Sequence, residues 1–427
     1  MNIIRPFNIS ISDSQLDLLN QKLQSASFPD ELDAAGWELG VPLAELKRLT
    51  AYWRDGFDWR AKEKELNEKL HQFMVSVSVP GFAQLDIHCV HQKSSTPGAI
   101  PLLFLHGCNV PYARLAFWPG SFLEAVKLIP LLTRGAENQP AFDLVVPSLP
   151  NFGFSQGVKQ RGFGLAQYAQ AMHSLMLNLG YEEYVIQGGD WGSIIARVMA
   201  TLYPQHVKAV HLNFAPVAPP YPWRHPWIFL QSILTLPFSP KSRALISTTL
   251  DYLNRGNGYL RQQETRPQTL GYGLHDSPVA LLAWIYDKLH AWADDYPWTD
   301  DEILTWVSVY QFSVAGPAAS VRIYYEAAQT PPADATASAL KRVSTVDAIS
   351  GSIPGEVKLA VAHFKRELIK LPFLWCRSMG SVVRESEFEC GGHFAAWEVP
   401  ELLAADVRSF LGKRGQAYAA VTGKNGY

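Results

Sequence analysis

Cysteine is scarce in this 427-residue chain: the four residues, Cys89, Cys108, Cys376 and Cys390, show no CxxC spacing, which argues against a zinc ribbon or a redox dithiol. A reducing compartment suits them. Charge of one sign is also missing. With 37 basic and 39 acidic residues and a formal net charge of −2, the chain carries no electrostatic footprint for nucleic acid or an anionic membrane. No uninterrupted apolar run reaches membrane-spanning length, the first residues lack a signal-peptide core, and the last four match no retention or peroxisomal ending. The expectation is a soluble cytoplasmic protein whose partner is a small molecule, with no metal and no cofactor. Its oligomeric state is open, a homodimer being one arrangement.

What is abundant is core-forming material, 48% hydrophobic and 12% aromatic, enough for one large unit with appendages. Leu16, Leu19 and Leu23 follow Ser12 and Asp13 at helical spacing, and Leu43, Leu46, Leu49 and Trp53 follow Pro42 in the same way. These predict a helical N-terminal arm. Strand signals begin at Leu85 to Val90 and continue with Pro101 to Leu105, Leu144 to Val146, Tyr184 to Ile186, Ala209 to Leu212 and Val357 to Val361. Helical patterns between the earlier strands predict an α/β fold with a mostly parallel sheet. From Ala215 prolines and tryptophans crowd a stretch unsuited to regular helix or central strand, and aromatic-rich helical sequence then runs to about Gln329. The expected division is a helical arm at 1–84, a core at 85–215, an inserted helical cap at 216–345, the rest of the core at 346–413 and a tail at 414–427.

One segment carries chemistry by its spacing. Tyr184 to Gly188 is an apolar strand, Gly188-Gly189-Asp190-Trp191-Gly192 is a small-x-x-x-small turn, and Ile194 to Met199 is helical. That is the pattern of a nucleophile elbow, with aspartate in the place of the usual serine. The plainer reading, Asp190 as a helix N-cap, competes with it. An elbow carboxylate acts poorly on amides but displaces at an sp3 carbon, opening an epoxide or expelling halide to leave an alkyl-enzyme ester. Hydrolysis of that ester needs a base and a charge partner for the base. His393, in a Gly391-Gly392 loop after the last strand, is the candidate base among twelve histidines. Glu367, just beyond the strand at Val357 to Val361, is the candidate partner; Glu385, Glu387, Glu389 and Asp347 are its rivals.

These motifs together resemble the microsomal-type epoxide hydrolases, including their soluble fungal members, over nearly the whole chain. Tyr52 to Arg60 with Glu65 to Asn67 is similar to that family's N-terminal domain, while Gly188 to Asp190, Arg366 to Leu368 and Gly392 to Ala396 match the segments bearing its nucleophile, acid and base. The resemblance implies an α/β-hydrolase core and an epoxide substrate with water. It also implies two cap tyrosines that hold the epoxide oxygen. They fall at Tyr259 and Tyr324, with Tyr272 and Tyr325 as neighbours that could take their place. Backbone N–H groups for an oxyanion would come from Trp191 and from the turn after His106-Gly107. In the family that turn runs directly into an aromatic residue and proline; here residues 108–117 intervene before Trp118-Pro119, which leaves Cys108 and Trp118 as rival donors. The interruption reads as a loop, as damage to the site, or as a piece retained in error in the coding sequence. A haloalkane dehalogenase and a non-catalytic binding protein remain the competing functions.

Overall fold

A computed structural model describes residues 3–106, 119–135, 138–328 and 343–427. Within them β1 (Ile4–Pro6), β2 (Gln72–Val77), β3 (Leu85–Gln92), β4 (Ile100–Leu105), β5 (Phe142–Pro147), β6 (Tyr184–Gly188), β7 (Val207–Leu212), β8 (Lys358–His363) and β9 (Ser381–Glu387) form one sheet, ordered β1-β2-β3-β5-β4-β6-β7-β8-β9. The pairs from β1 to β5 are antiparallel, and every pair from β5 to β9 is parallel. Each residue of β4 and β6 is buried, as expected where helices cover both faces of a parallel sheet.

The first 84 residues are not purely helical, contrary to expectation. Their helices Asp13–Gln24, Leu43–Asp55 and Trp59–Lys69 lie between β1 and β2, which extend the sheet through pairs such as Ile4 with Val75 and Met74 with His88. β1 has three exposed residues and β2 mixes Phe73, Met74 and Val75 without clean alternation, so neither carries a period-two signal. β9 was hidden for the same reason. It is a half-buried edge strand, SVVRESE, and its charges suit an edge that must not pair further.

The helices start where their chemistry says. Ser12 and Gln15 form a reciprocal capping box, burying Leu19 and Leu23 on the inner face. Between β7 and β8 lie the helices Pro226–Thr235, Pro240–Arg255, Gly258–Thr265, Pro267–Asp276, Pro278–Trp292, Asp300–Gln311 and Arg322–Ala328. Four begin with proline, whose fixed φ and missing N–H cost nothing in a first turn. The prolines that break the chain at 216–222 thus give way to prolines that open helices. The arm ties sheet to cap: Tyr52 donates to Asp301 at 2.8 Å, Arg48 meets Asp300, and Trp37 stacks on His290 at 3.5 Å. The tail folds back, with the Gly426 N–H donating to Gly98 O and the Gly426 carbonyl oxygen accepting from Ala141 N–H, each at 2.9 Å.

Candidate active site

Asp190 sits where β6 turns sharply into the helix Asp190–Leu202, buried and at φ +52°, a left-handed conformation that costs a non-glycine residue about 1 kcal/mol or more. The neighbouring glycines make the turn possible. A Cβ on Gly192 would lie 2.0 Å from the Leu105 carbonyl oxygen of β4, and one on Gly188 would lie 2.9 Å from Gly192 O. Nothing on the β4 backbone can yield without breaking the sheet. Gly192→Ala is therefore expected to cost on the order of 4 kcal/mol or to prevent folding. A thermal melt checks this, and a melting point like that of the unaltered chain would reject the close packing.

The carboxylate points in two directions. Its Oδ1 accepts from the Trp191 N–H, and its Oδ2 lies 2.9 Å from Nε2 of His393, which comes from the loop after β9. The other ring nitrogen, Nδ1, is 2.8 Å from Oε1 of Glu367, just beyond β8. The same Glu367 oxygen accepts from Leu368 N–H at 2.8 Å. All three side chains are buried. Burial disfavours a charged imidazole at His393, but the carboxylates of Glu367 and Asp190 outweigh it and raise its pKa. Asp190 is raised by burial, a shift that His393 opposes. Rivals of Glu367 are engaged elsewhere: Glu385 with Arg377, Glu387 with Lys241, and Asp347 in the capping box of the helix Thr345–Ser350. Glu389 is exposed.

An aromatic shell surrounds this line of residues. Trp292, Phe214 and Phe394 meet the His393 ring edge-on at 5.5, 6.0 and 5.3 Å. The cap brings both sequence-named tyrosines close. Tyr324, fully buried, packs at 6.0 Å against Trp191, and Tyr259 packs at 5.4 Å against Trp292. Tyr272 is 68% exposed, and Tyr325 is half-buried in a cleft that Arg161 and Phe163 also line. Cys108, Trp118 and the interruption at 108–117 lie outside the described residues.

Comparison with known proteins follows the same lines. Residues 4–125 match the family described as epoxide hydrolase N terminus, and residues 100–234 match the alpha/beta hydrolase fold. Epoxide hydrolase 1 of Sus scrofa is 33% identical over 96% of this chain and 88% of its own. This chain belongs to the epoxide hydrolase family. Two solved members of the family superpose closely. Juvenile hormone epoxide hydrolase from Bombyx mori, 29% identical, gives a TM-score of 0.80 over 95% of this chain and 93% of that one. Aspergillus niger epoxide hydrolase, also 29% identical, gives 0.75 over 94% of each. The fold is thus the α/β-hydrolase fold with a mostly parallel sheet.

Three groups around the site of this family member escaped the sequence reading. His106, at the end of β4, faces Glu124 with its Nδ1, both are buried, and the ring lies 6.2 Å from His393. Burial lowers the His106 pKa to about 3 and raises Glu124 well above the carboxylate range, so burial favours the uncharged form of each. Ser121-x-x-Glu124 was legible as a capping box, but its histidine neighbour was not. Glu398 accepts from the N–H groups of Asp294, Gly392 and Phe394 at 2.7, 3.0 and 3.0 Å, fixing the His393 loop to the cap. Tyr252, finally, shares a 2.9 Å hydrogen bond with Tyr259 through the two hydroxyls.

Proposed function

We propose that the chain hydrolyses a small apolar epoxide to a vicinal diol in two half-reactions, with Asp190 as nucleophile, His393 as base and Glu367 as its charge partner. The observation that carries this reading is the position of His393, 2.9 Å from Asp190 and 2.8 Å from Glu367. Oδ2 of Asp190 attacks an epoxide carbon, the carbon–oxygen bond opens, and the new alkoxide takes a proton from one of the phenols Tyr259 and Tyr324 while the other holds it by a hydrogen bond. The product is an ester at Asp190. Oδ1, already facing the Trp191 N–H, becomes the ester carbonyl oxygen, so that donor is in place for the oxyanion of the second step. The phenolate left behind takes the imidazolium proton of His393, and the neutral ring then removes a proton from water, which attacks the ester carbon; the ester carbon–oxygen bond breaks, the departing oxygen takes the proton of the new carboxyl, and the diol leaves with Asp190 ionised again.

Electrostatics support the order of events. Before alkylation two carboxylates hold His393 protonated. Esterification removes the charge of Asp190, so the imidazole pKa falls and the ring becomes a base when the water needs one. A halide would leave without a proton, so the two buried tyrosines favour an epoxide over a haloalkane. Incubation with aryl, terminal and fatty-acid epoxides, with diol detected by mass, tests the activity; no diol from any of them, with chloride released from a haloalkane, would overturn it.

Replacing Tyr259 or Tyr324 with phenylalanine is expected to slow alkylation by about tenfold to a thousandfold, the range for a lost oxyanion donor or general acid. Ester hydrolysis should change little. Single-turnover kinetics separate the steps, and equal slowing of both would reject the assigned roles.

A further inference from the structure

Tyr252 and Tyr259 lie on successive cap helices, Pro240–Arg255 and Gly258–Thr265, and the short turn between them brings their hydroxyls together. The first helix ends at Gly256, whose N–H donates to the Tyr252 carbonyl oxygen at 2.8 Å. The Tyr252 ring folds over that end. A Cβ on Gly256 would meet its Cδ2 at 2.7 Å and its Cε2 at 2.8 Å, so the glycine is what leaves the ring its place. The two hydroxyl oxygens are 2.9 Å apart, in a hydrogen bond that either phenol could donate. Its direction follows from what each proton is for. Burial holds the Tyr252 phenol well above its ordinary pKa, against a smaller opposing effect of the Tyr259 hydrogen bond, and the charges of Asp190 and Glu367 add to the rise. Tyr252 therefore keeps its proton and is always able to donate it. Tyr259 needs its own single proton for the epoxide oxygen, and presents it there only while its oxygen accepts from Tyr252.

On the reading of Tyr259 and Tyr324 as the phenols at the epoxide oxygen, we propose that Tyr259 is the one that gives up its proton, and that Tyr252 is a positioning residue that strengthens it as an acid by donating to its oxygen. As the epoxide opens, the Tyr259 O–H bond breaks, an O–H bond forms on the alkoxide, and the electron pair stays on Tyr259 as a phenolate. The Tyr252 hydrogen bond then ends on an anion and no longer on a neutral oxygen, and charge-assisted bonds are roughly twice as strong. That gain appears only as the charge develops, so it lowers the barrier without tightening the ground state. Return of the His393 proton to the phenolate restores the neutral pair, and Tyr252 gives up no proton of its own. A cation also faces the ring: the Lys288 ammonium, from the helix Pro278–Trp292, is 4.7 Å from the Tyr259 ring centroid. Asp287 pairs with that ammonium and offsets part of its field. The contact at the oxygen itself is the one that follows the charge.

The test is single-turnover alkylation of the full chain by styrene oxide, followed over a range of concentrations so that the dissociation constant and the rate at saturation separate. Tyr252→Phe keeps the ring over Gly256 and is expected to fold. Its saturating rate should fall about tenfold, the difference between a hydrogen bond to a charged and to a neutral group. The dissociation constant and the rate of ester hydrolysis should stay within about twofold of the unaltered chain, a split that a merely displaced helix would not give. Added to Tyr259→Phe, the same change should cost less than about twofold more, because the oxygen it acts through is gone; added to Tyr324→Phe it should cost about tenfold again. Two results overturn the role of Tyr252 while leaving the phenols theirs. One is alkylation of Tyr252→Phe at the unaltered rate where Tyr259→Phe is slowed, and the other is an equal loss from Tyr252→Phe in the Tyr259→Phe and Tyr324→Phe backgrounds. Alkylation of Tyr259→Phe at the unaltered rate would overturn the reading of Tyr259 itself, and the role of Tyr252 with it.

Discussion

Asp190→Ala is expected to lower diol formation by about ten-thousandfold or more, to the limit of detection, while the protein still folds. Loss of a covalent nucleophile removes the path itself and not one stabilising contact, which is why losses of this order follow in enzymes that work through an acyl or alkyl intermediate. Two other carboxylates near His393 are held elsewhere: Glu367 faces the other nitrogen of the imidazole, and Glu124 is turned to His106. The fold has reason to survive. Alanine in the left-handed turn costs about 1 kcal/mol beyond what the elbow already bears, and the Gly188 and Gly192 contacts with β4 and the helix are untouched. The measurement is diol yield from purified wild-type and variant chains of matching circular dichroism. Turnover by the variant within tenfold of the wild type would take the nucleophile role away from Asp190.

His393→Gln should separate the two half-reactions. In the proposed mechanism attack by Asp190 and proton donation from the cap tyrosines do not require a base, whereas ester hydrolysis does. The variant is therefore expected to alkylate once and stop. Intact-protein mass should rise by the mass of the epoxide, peptide mapping should place the addition on Asp190, and steady-state diol formation should fall by about a hundredfold to ten-thousandfold, the usual worth of a positioned base. Glutamine keeps a polar group near Asp190 Oδ2 and Glu367 Oε1, so neither buried carboxylate is left facing only apolar atoms. One cost works against the variant: without the imidazolium, Asp190 loses the partner that opposes its burial, and a larger fraction is protonated at neutral pH. Alkylation should accordingly be slower than in the wild type and recover as pH rises, because the neutral carboxyl is a poor nucleophile and loses its proton above its raised pKa. Loss of diol formation without any adduct between pH 6 and 9 would reject the division of labour between Asp190 and His393.

How much of this was legible in the chain depends on range. The elbow was readable because its requirements are local: small residues within two positions of Asp190, a strand before and a helix after. The helix behind Ser12 and the all-buried strands β4 and β6 were readable for the same reason, since capping and periodicity are fixed by neighbours a few residues apart. Chain order and motif brought Glu367 and His393 into view, but only folding sets Asp190 and His393, 203 positions apart, within a hydrogen bond of each other. The strands β1, β2 and β9 were not legible, because edge and short strands draw their pairing from a partner's backbone and need no pattern of their own. Nor were the His106–Glu124 and Tyr252–Tyr259 pairs, in which polar side chains find each other across elements. The helix Pro226–Thr235 marks the boundary most clearly. Its composition announces a helix fit for a core, and only the tertiary structure decides that the surrounding elements leave its apolar face in solvent, because burial is a property of where an element is placed and not of what it is made of.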